Sequence, residues 1–437
     1  MSLSEFLKPY LKGPAVDRLP ALPHEFLYGP DASMRLAESF RELTRMSSVL
    51  VFFDERTRTV AGETCIGAMK HSGWAVSECL VPDGDDGSFP VCDDLTMRRL
   101  QASLPAADAY LAVGSGVIND LVKWLAAEAG KPYAVFATAA SMNGYAASNV
   151  APTINSVKSL FRAKAPLVIG ADPSVIAAAP IRLTTAGLGD VLAKPVSTSD
   201  WVMNHQIFGE PFSEEIVGII SHTEPAYMDC PEGVRTGDPV ALRGLMDALV
   251  LSGCAMTLQG SSLPASGGEH LISHTLDMKA HVEARTHDLH GRQVGVATIF
   301  AAALYDRILN MEPPEFKNAL HFDASYWGSI IDSVRKQHDL AVTRMDAAID
   351  ALRKPGAWDT LRSNLKSRLR SPSVIKHCLA LAGGAHRLDD IGCTREAFGH
   401  AVRNAASIRE RFTSIDLGVA TGLLPAAIDE IVDEWLM

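Results

Sequence analysis

The chain has 437 residues, 47% of them apolar and 21% charged, with a formal net charge of −11. That length exceeds what one hydrophobic core serves, so two domains are expected. The acidic balance argues against a nucleic-acid partner, yet leaves open a small anionic substrate, which needs only a local basic pocket. Residues 1–12 lack the basic-then-apolar plan of a signal peptide, and no run reaches the roughly 18 apolar residues of a membrane helix. The seven cysteines are scattered and form no CxxC pair. A reducing cytoplasm with unpaired thiols is the expected setting.

Residues 1–45 read as one or two helices with a Pro-containing connection. Ser48–Phe53 (SVLVFF) is a short apolar, β-branched run ending at Asp54, the pattern of a buried parallel strand. A helix follows through Lys70, then a strand over Trp74–Val81 and a helix over Asp93–Leu104. Ala109–Val113 is a third strand, Val117–Ala129 a helix and Pro132–Ala137 a fourth strand. This alternation predicts a parallel sheet with helical crossovers. Val157–Ile169 is expected to form a hairpin carrying Lys158, Arg162 and Lys164. After Pro180 long helical periods take over, broken at Glu210-Pro211, Cys230-Pro231, the loop 259–268, residues 311–314 and Pro355-Gly356. The expected division is therefore an α/β nucleotide-binding domain over 1–180 and an all-helical domain over 181–437.

Gly114-Ser115-Gly116 falls between a predicted strand and a predicted helix. Glycines there let a phosphate approach the backbone, and the helix N-terminus offers free N–H groups. The third glycine of a GxGxxG fingerprint is absent, so a plain turn is the competing reading. Asp54, at the carboxyl end of the first predicted strand, is placed to take ribose hydroxyls or to cap the next helix. Thr138, Ser141 and Asn143 follow the fourth strand, and would line the carboxyl edge where open α/β sheets bind ligands.

A second group of residues points to a metal. Ala186-Gly-Leu-Gly-Asp-Val-Leu-Ala-Lys194 offers Asp190 just after two glycines, at the start of an apolar run. Glu269-His270-Leu-Ile-Ser-His274 and Leu289-His290-Gly291 add imidazoles. One Asp with two or three His suits a catalytic divalent ion with positions open to substrate. A helix cap is the plainer reading of Asp190. His270 and His274 are four apart and share a helix face. His274 is open to several roles: substrate contact, relay of an alcohol proton, an extra ligand, or an ordinary interfacial His. His281 and His287 are set outside the site. Lys194, one turn beyond Asp190, is either a point charge for a substrate phosphate or a solvated lysine, and Lys123 carries the same ambiguity on its own helix.

Several stretches occur together in order: Gly114-Ser-Gly-Val-Ile-Asn-Asp120-Leu-Val-Lys123, Thr138-Ala-Ala-Ser-Met-Asn-Gly-Tyr-Ala-Ala-Ser148, Ala179-Pro-Ile-Arg-Leu183, residues 186–194 and Ser199-Asp-Trp201. Ser266-Gly-Gly-Glu-His270, Leu289-His-Gly291 and Ile408-Arg-Glu-Arg-Phe-Thr413 follow. This series resembles the bacterial and archaeal sn-glycerol-1-phosphate dehydrogenases, bacterial type, within the superfamily of metal-dependent polyol dehydrogenases and dehydroquinate synthases. The resemblance runs from about residue 45 to 425. It implies a Rossmann-like N-terminal domain, an all-helical C-terminal domain and a metal in the cleft. It also implies interconversion of dihydroxyacetone phosphate and glycerol 1-phosphate with NAD or NADP, a Zn or Ni ion, and a homodimer. Carried over by position, the metal ligands fall on Asp190, His270 and His290. The dinucleotide site falls on Asp54, Gly114, Ser115, Gly116, Asp120, Thr138 and Ser141, and Asn143 stands at a position that lies near substrate and nicotinamide in relatives; His274 and Lys194 join the candidate catalytic groups by their own helical spacing rather than by the resemblance. Two positions depart from the family pattern: Ala137 stands where Pro is usual, and Asn143 where Asp is usual. Asn keeps the shape and loses the charge.

The expected function is a cytoplasmic, metal-dependent NAD(P) oxidoreductase acting on a small phosphorylated polyol. Other readings are the same chemistry on another polyol, a dehydroquinate synthase-like cyclase, or a silent nucleotide-binding relative. The cyclase family usually places Glu where this chain has Asp190. An acidic Asp54 favours NAD over NADP, since a 2′-phosphate would meet like charge.

Overall fold

The computed structural model describes residues 2–84, 87–155 and 157–437. Its first strands are β1 (Glu25–Tyr28), β2 (Ser48–Phe53), β3 (Ala75–Leu80), β4 (Ala109–Gly114) and β5 (Tyr133–Ala137). Four two-residue strands follow, β6 (Asn149–Val150), β7 (Thr153–Ile154), β8 (Val157–Lys158) and β9 (Phe161–Arg162), and then β10 (Val168–Ala171). Six of these make one sheet in the order β1-β10-β5-β4-β2-β3, every pair parallel. In β2, β4, β5 and β10 nearly every residue is buried, which is why they read as continuous apolar runs rather than alternating ones.

The order of strands matters for the site. From β2 the chain runs outward to β3 and then returns past β2 to β4, with β2 hydrogen-bonded to both. The carboxyl ends of β2 and β4 therefore bound a topological switch point, where open α/β sheets receive ligands. Asp54 follows β2, and Gly114 closes β4.

Two expectations are corrected. Glu25–Tyr28 is an edge strand, not part of a helix. It is four residues long with only Leu27 buried, so it leaves no periodic signal. Residues 157–169 do not form a hairpin among themselves. β8 pairs antiparallel with β7, β9 with β6, and Val168 and Ile169 enter the main sheet.

The helices that carry the sites are α1 (Ala32–Thr44), α2 (Gly116–Ala129), α3 (Ile181–Leu192), α4 (Lys194–Phe208), α5 (Pro239–Gln259), α6 (Gly268–Val282), α7 (His290–Asn310), α8 (Arg395–Ala405) and α9 (Ser414–Ala420). The chain divides into two compact units. One comprises residues 1–187 and 218–261, the other residues 188–217 and 262–437. The segment 218–261 thus returns to the unit that holds the sheet, whereas the sequence pattern groups it with the later helices.

Within the first unit, α1 covers one face of the sheet. Phe40 stacks on Trp74 at 5.4 Å, and the Trp74 indole N–H donates to the Ala37 carbonyl. Helix α5 is long and apolar enough to cross a membrane by length and composition alone, although Arg243 and Asp247 interrupt its apolar run. It is mostly buried inside the unit. Its Thr257 hydroxyl donates to the Ala146 carbonyl and accepts from the Ser148 N–H, and a side chain at Gly253 would strike the Asn143 carbonyl. The helix thereby fixes the turn that carries Asn143.

In the second unit, α7 is buried along most of its length and packs against α6, α9 and the helix Pro372–Leu381; α6 also packs on α8.

Candidate active site

Asp190 does not begin a helix. It lies in the last turn of α3, and Gly187 and Gly189 are helical. The expected glycine turn is replaced by close helix packing. A Cβ at Gly189 would stand 2.1 Å from the Gly291 carbonyl oxygen and 3.2 Å from Gly295 Cα, so only glycine lets α3 and α7 touch backbone to backbone. In the first unit, Gly187 is held the same way against the Ala140 carbonyl. The approach at Gly189 puts Asp190 beside the start of α7, whose first residue is His290.

Asp190 is 2% exposed. Its Oδ1 accepts from Lys194 Nζ at 3.1 Å and lies 3.5 Å from His270 Nε2. Burial alone would raise its carboxyl pKa. The Lys194 ammonium, with help from His270 and His290, outweighs burial and holds it far below the usual carboxylate range. Lys194 is itself buried and also donates to the Ala265 carbonyl. The reading of Lys194 as a solvated lysine is therefore corrected: its ammonium is engaged on the site's carboxylate.

The histidines sit on three helical turns. His270 and His274 share a face of α6, with ring centroids 6.1 Å apart. His290 lies 5.2 Å from each, and stacks on His274 with an interplanar angle of 14°. His270 Nδ1 donates to Glu269 Oε1 at 2.7 Å. Ser273 gives its hydroxyl proton to Gln293 Oε1, so its oxygen accepts from His290 Nδ1 at 3.0 Å. Both of these hydrogen bonds are made at Nδ1, so either imidazole, when neutral, carries its proton there and presents the Nε2 lone pair. Burial lowers the His270 pKa, but its bonds to Asp190 and Glu269 win and the net direction is upward.

The residues behind His270 escaped the sequence reading. Glu269 is fully buried; its Oε1 also accepts from the Gly267 N–H, while its Oε2 has no hydrogen-bond partner among the described residues. Asp200 accepts from the N–H groups of Gly268 and Ser414 and from the Tyr305 hydroxyl. A side chain at Gly267 would strike both carboxylates, so they flank that glycine. Burial, then the Glu269 charge, pushes the Asp200 carboxyl far up. Glu269 and Ser273 stand next to the histidines in sequence, and that adjacency was the available signal for them.

Among the described residues, no three His, Cys, Asp or Glu side chains are already drawn to metal-ligating spacing. The donor chemistry nevertheless fits a divalent ion: one anionic carboxylate and two Nε2 lone pairs, each histidine oriented by a hydrogen bond at its other nitrogen.

The expected nucleotide residues lie together at the switch point of the sheet. Gly114 pairs with Ala137 in register, and Thr138 N–H donates to the Gly114 carbonyl. Ser115 precedes α2 without a side-chain cap, which leaves the helix N-terminus open. A Cβ at Gly114 would overlap Ile118, and one at Gly116 would press on Met142 Sδ at 3.2 Å. Ser141 Oγ lies 3.5 Å from the Tyr145 hydroxyl, and Asn143 Nδ2 donates to Ser252 Oγ.

Three residues there are engaged with protein groups. Asp54 caps the turn at Glu55–Thr57 through the Thr57 N–H and also receives Arg56 at 3.0 Å. Asp120 accepts from Asn119, and burial raises its carboxyl pKa. Lys123 is 1% exposed and donates to the Gly144 and Asn149 carbonyls, so it ties α2 to the turn carrying Asn143.

The family model described as iron-containing alcohol dehydrogenase matches residues 27–180. The crystal structure of a probable glycerol dehydrogenase from Sinorhizobium meliloti 1021 superposes with a TM-score of 0.61 at 16% identity, covering 94% of this chain and 98% of that one. The fold is thus that of the metal-dependent, dehydroquinate synthase-like dehydrogenases. A glycerol-1-phosphate dehydrogenase (NAD(P)+) of Pyrococcus furiosus is 32% identical over 65% of this chain and 79% of its own length. Its counterpart in Bacillus velezensis is 26% identical over 92% of both. The chain belongs to the glycerol-1-phosphate dehydrogenase family and is an oxidoreductase of that family.

Proposed function

We propose that the protein interconverts dihydroxyacetone phosphate and sn-glycerol 1-phosphate using NAD or NADP, with a Zn or Ni ion held by Asp190, His270 and His290. The observation that carries this reading is the pair of imidazoles fixed with Nε2 presented next to a buried, anionic Asp190. When bound, such an ion polarises the alcohol or carbonyl oxygen as a Lewis acid. The chain's own groups do the rest. Glu269 and Ser273 hold the two imidazoles in the ligating tautomer. Lys194 supplies the charge that keeps Asp190 ionised in a buried place. His274, stacked on His290, is the group we assign to hold the alcohol proton. Gly114, Ser115 and Gly116 leave room for the dinucleotide phosphates at the N-terminus of α2, and Thr138, Ser141 and Asn143 line the adjoining strand end. By the same family likeness we assign a homodimer acting in the cytoplasm.

The experiment is steady-state oxidation of NADH and of NADPH by dihydroxyacetone phosphate, with unphosphorylated dihydroxyacetone in parallel, before and after Zn²⁺ or Ni²⁺ is added to chelated protein. Metal-dependent turnover that favours the phosphorylated ketone is expected. Equal rates on both ketones would reassign the substrate to a plain polyol. Nucleotide binding without turnover on either would leave a silent relative.

A further inference from the structure

The carboxyl end of β2 holds a charged group that the proposed function leaves unused. Arg56 lies just beyond Asp54, and its guanidinium is held between two carboxylates. Nε and Nη2 donate to Asp54 Oδ2 at 3.3 and 3.0 Å. Nη1 donates to Asp83 Oδ2 at 3.0 Å and Nη2 to Asp83 Oδ1 at 2.6 Å, the bidentate pairing of a guanidinium with a carboxylate. The Phe89 ring lies against the same guanidinium, its centroid 4.6 Å from Cζ. Asp83 follows β3, the strand that pairs with β2. The ion pair therefore ties together the carboxyl ends of two neighbouring strands.

The sheet register places this group beside the glycine cradle. β2 pairs with β4 so that Phe52 stands opposite Ala112. Carried to the strand ends, that register sets Asp54 level with Gly114, one strand spacing of about 4.8 Å away. Where a phosphate loop follows one strand of an open α/β sheet, an acid at the end of the neighbouring strand takes the ribose hydroxyls, and a nearby arginine takes a 2′-phosphate. Arg56 is the arginine in that place, but its donor fork is spent on Asp83 and Asp54. A 2′-phosphate would have to displace Asp83, and would face two carboxylates with one guanidinium between them. The next cation, Arg58, is itself engaged with Glu63 and Glu78. A ribose 2′-hydroxyl carries no charge and needs only an acceptor such as Asp54.

We infer that the Arg56–Asp83 pair selects the cofactor: held on Asp83, Arg56 is withheld from a 2′-phosphate, and the site favours NADH over NADPH. Arg56 is the specificity-determining residue, and Asp83 is the positioning residue that acts through it. This rests on the reading of the switch point as the dinucleotide site.

The test measures binding of NADH and NADPH by calorimetry to the wild type, Asp83→Asn and Arg56→Gln. Adenosine 5′-monophosphate and adenosine 2′,5′-bisphosphate, which differ by the one phosphate, are measured in parallel. The wild type should favour NADH. Asp83→Asn keeps the shape, removes one charge and frees the fork. The NADH-to-NADPH affinity ratio should then fall by roughly 3- to 30-fold, through tighter NADPH binding; the half-exposed setting of the pair keeps the effect in that range. Arg56→Gln removes the fork and leaves both carboxylates, so the ratio should rise instead. Opposite responses from the two members of one ion pair are not what a general loss of structure produces. An unchanged ratio in Asp83→Asn, a lower ratio in Arg56→Gln, or a wild type that favours NADPH overturns the inference and leaves the dinucleotide site in place. A wild type that binds neither nucleotide overturns the switch-point reading as well. The gain in Asp83→Asn should appear for the bisphosphate and not for the monophosphate; an equal gain for both contradicts a role in reading the 2′-phosphate. Should Asp83→Asn fail to fold, Asp83→Ser takes its place with the same outcomes.

Discussion

The two units build their candidate sites from different materials. The first uses backbone: strand ends at a switch point, an uncapped helix N-terminus, and glycines whose missing side chains leave room. The second uses titratable side chains: the buried Asp190, Lys194, His270, His274 and Asp200–Glu269 pair, with His290 half-buried beside them. A backbone cradle carries no group that titrates near neutrality, so its affinity should change little with pH. A site of buried ions depends on charge balance, and each member is held in its ionisation state by its neighbours.

The largest break in this comparison is Asp190→Asn. Loss of the carboxylate from the metal set should empty the site and lower turnover on the order of 10³-fold or more. It also strands the buried Lys194 ammonium, which should cost about 3–5 kcal/mol of stability. Adding Lys194→Met should restore the melting temperature without restoring metal. Mass-spectrometric metal analysis beside thermal melts separates the two effects, and full occupancy in Asp190→Asn would remove it from the ligand set.

Glu269→Gln comes next. It keeps the shape but weakens the bond that holds His270 in its tautomer, so metal affinity should fall roughly 10- to 100-fold. Competition against a chromogenic chelator reads this directly; an unchanged affinity would make Glu269 a packing residue. Nucleotide affinity should not move.

Asp416 tests the charge balance through stability. Burial, opposed by two bonds from Thr413, raises its carboxyl to about 7. Because the folded pKa exceeds the unfolded value of about 3.9, its contribution is full below that value and is lost as pH rises through about 7. Asp416→Asn should therefore flatten the stability–pH curve between roughly pH 4 and 8, by about 1–3 kcal/mol. Denaturant melts at pH 5 and pH 8 check it, and parallel curves for the two proteins would show that Asp416 is ionised throughout.

Gly116→Val has the smallest effect of the four, and is confined to the first unit. The side chain would press on Met142 and fill space at the N-terminus of α2, weakening NADH binding by about tenfold or more. Fluorescence titration measures this; equal affinity would reduce Gly114–Gly116 to a turn.

The same contrast governs how much was legible in the sequence. β2, β4 and β5 announced themselves as apolar runs because both their faces are buried. The nucleotide-side residues were legible because they cluster just after those runs. Asp190, His270 and His290 were found by residue type and likeness, although the two glycines before Asp190 serve helix packing rather than a turn. β1 was hidden because an edge strand of four residues has no period to detect. The return of residues 218–261 to the sheet unit was hidden because an apolar helix such as α5 does not say which core it fills. The groups behind the histidines' partners were hidden for another reason: Asp200 reaches Gly268, Tyr305 reaches Asp200, and Gln293 reaches Ser273 only through tertiary packing.

The central claim is that Asp190, His270 and His290 together hold the metal of an oxidoreductase. Its most direct test is an anomalous difference map from crystals of the protein reconstituted with Zn²⁺ or Ni²⁺, collected at that metal's absorption edge. The account predicts one strong peak within ligating distance of an Asp190 carboxylate oxygen and of Nε2 of both His270 and His290. A peak on other side chains, or no peak in this unit, would contradict it.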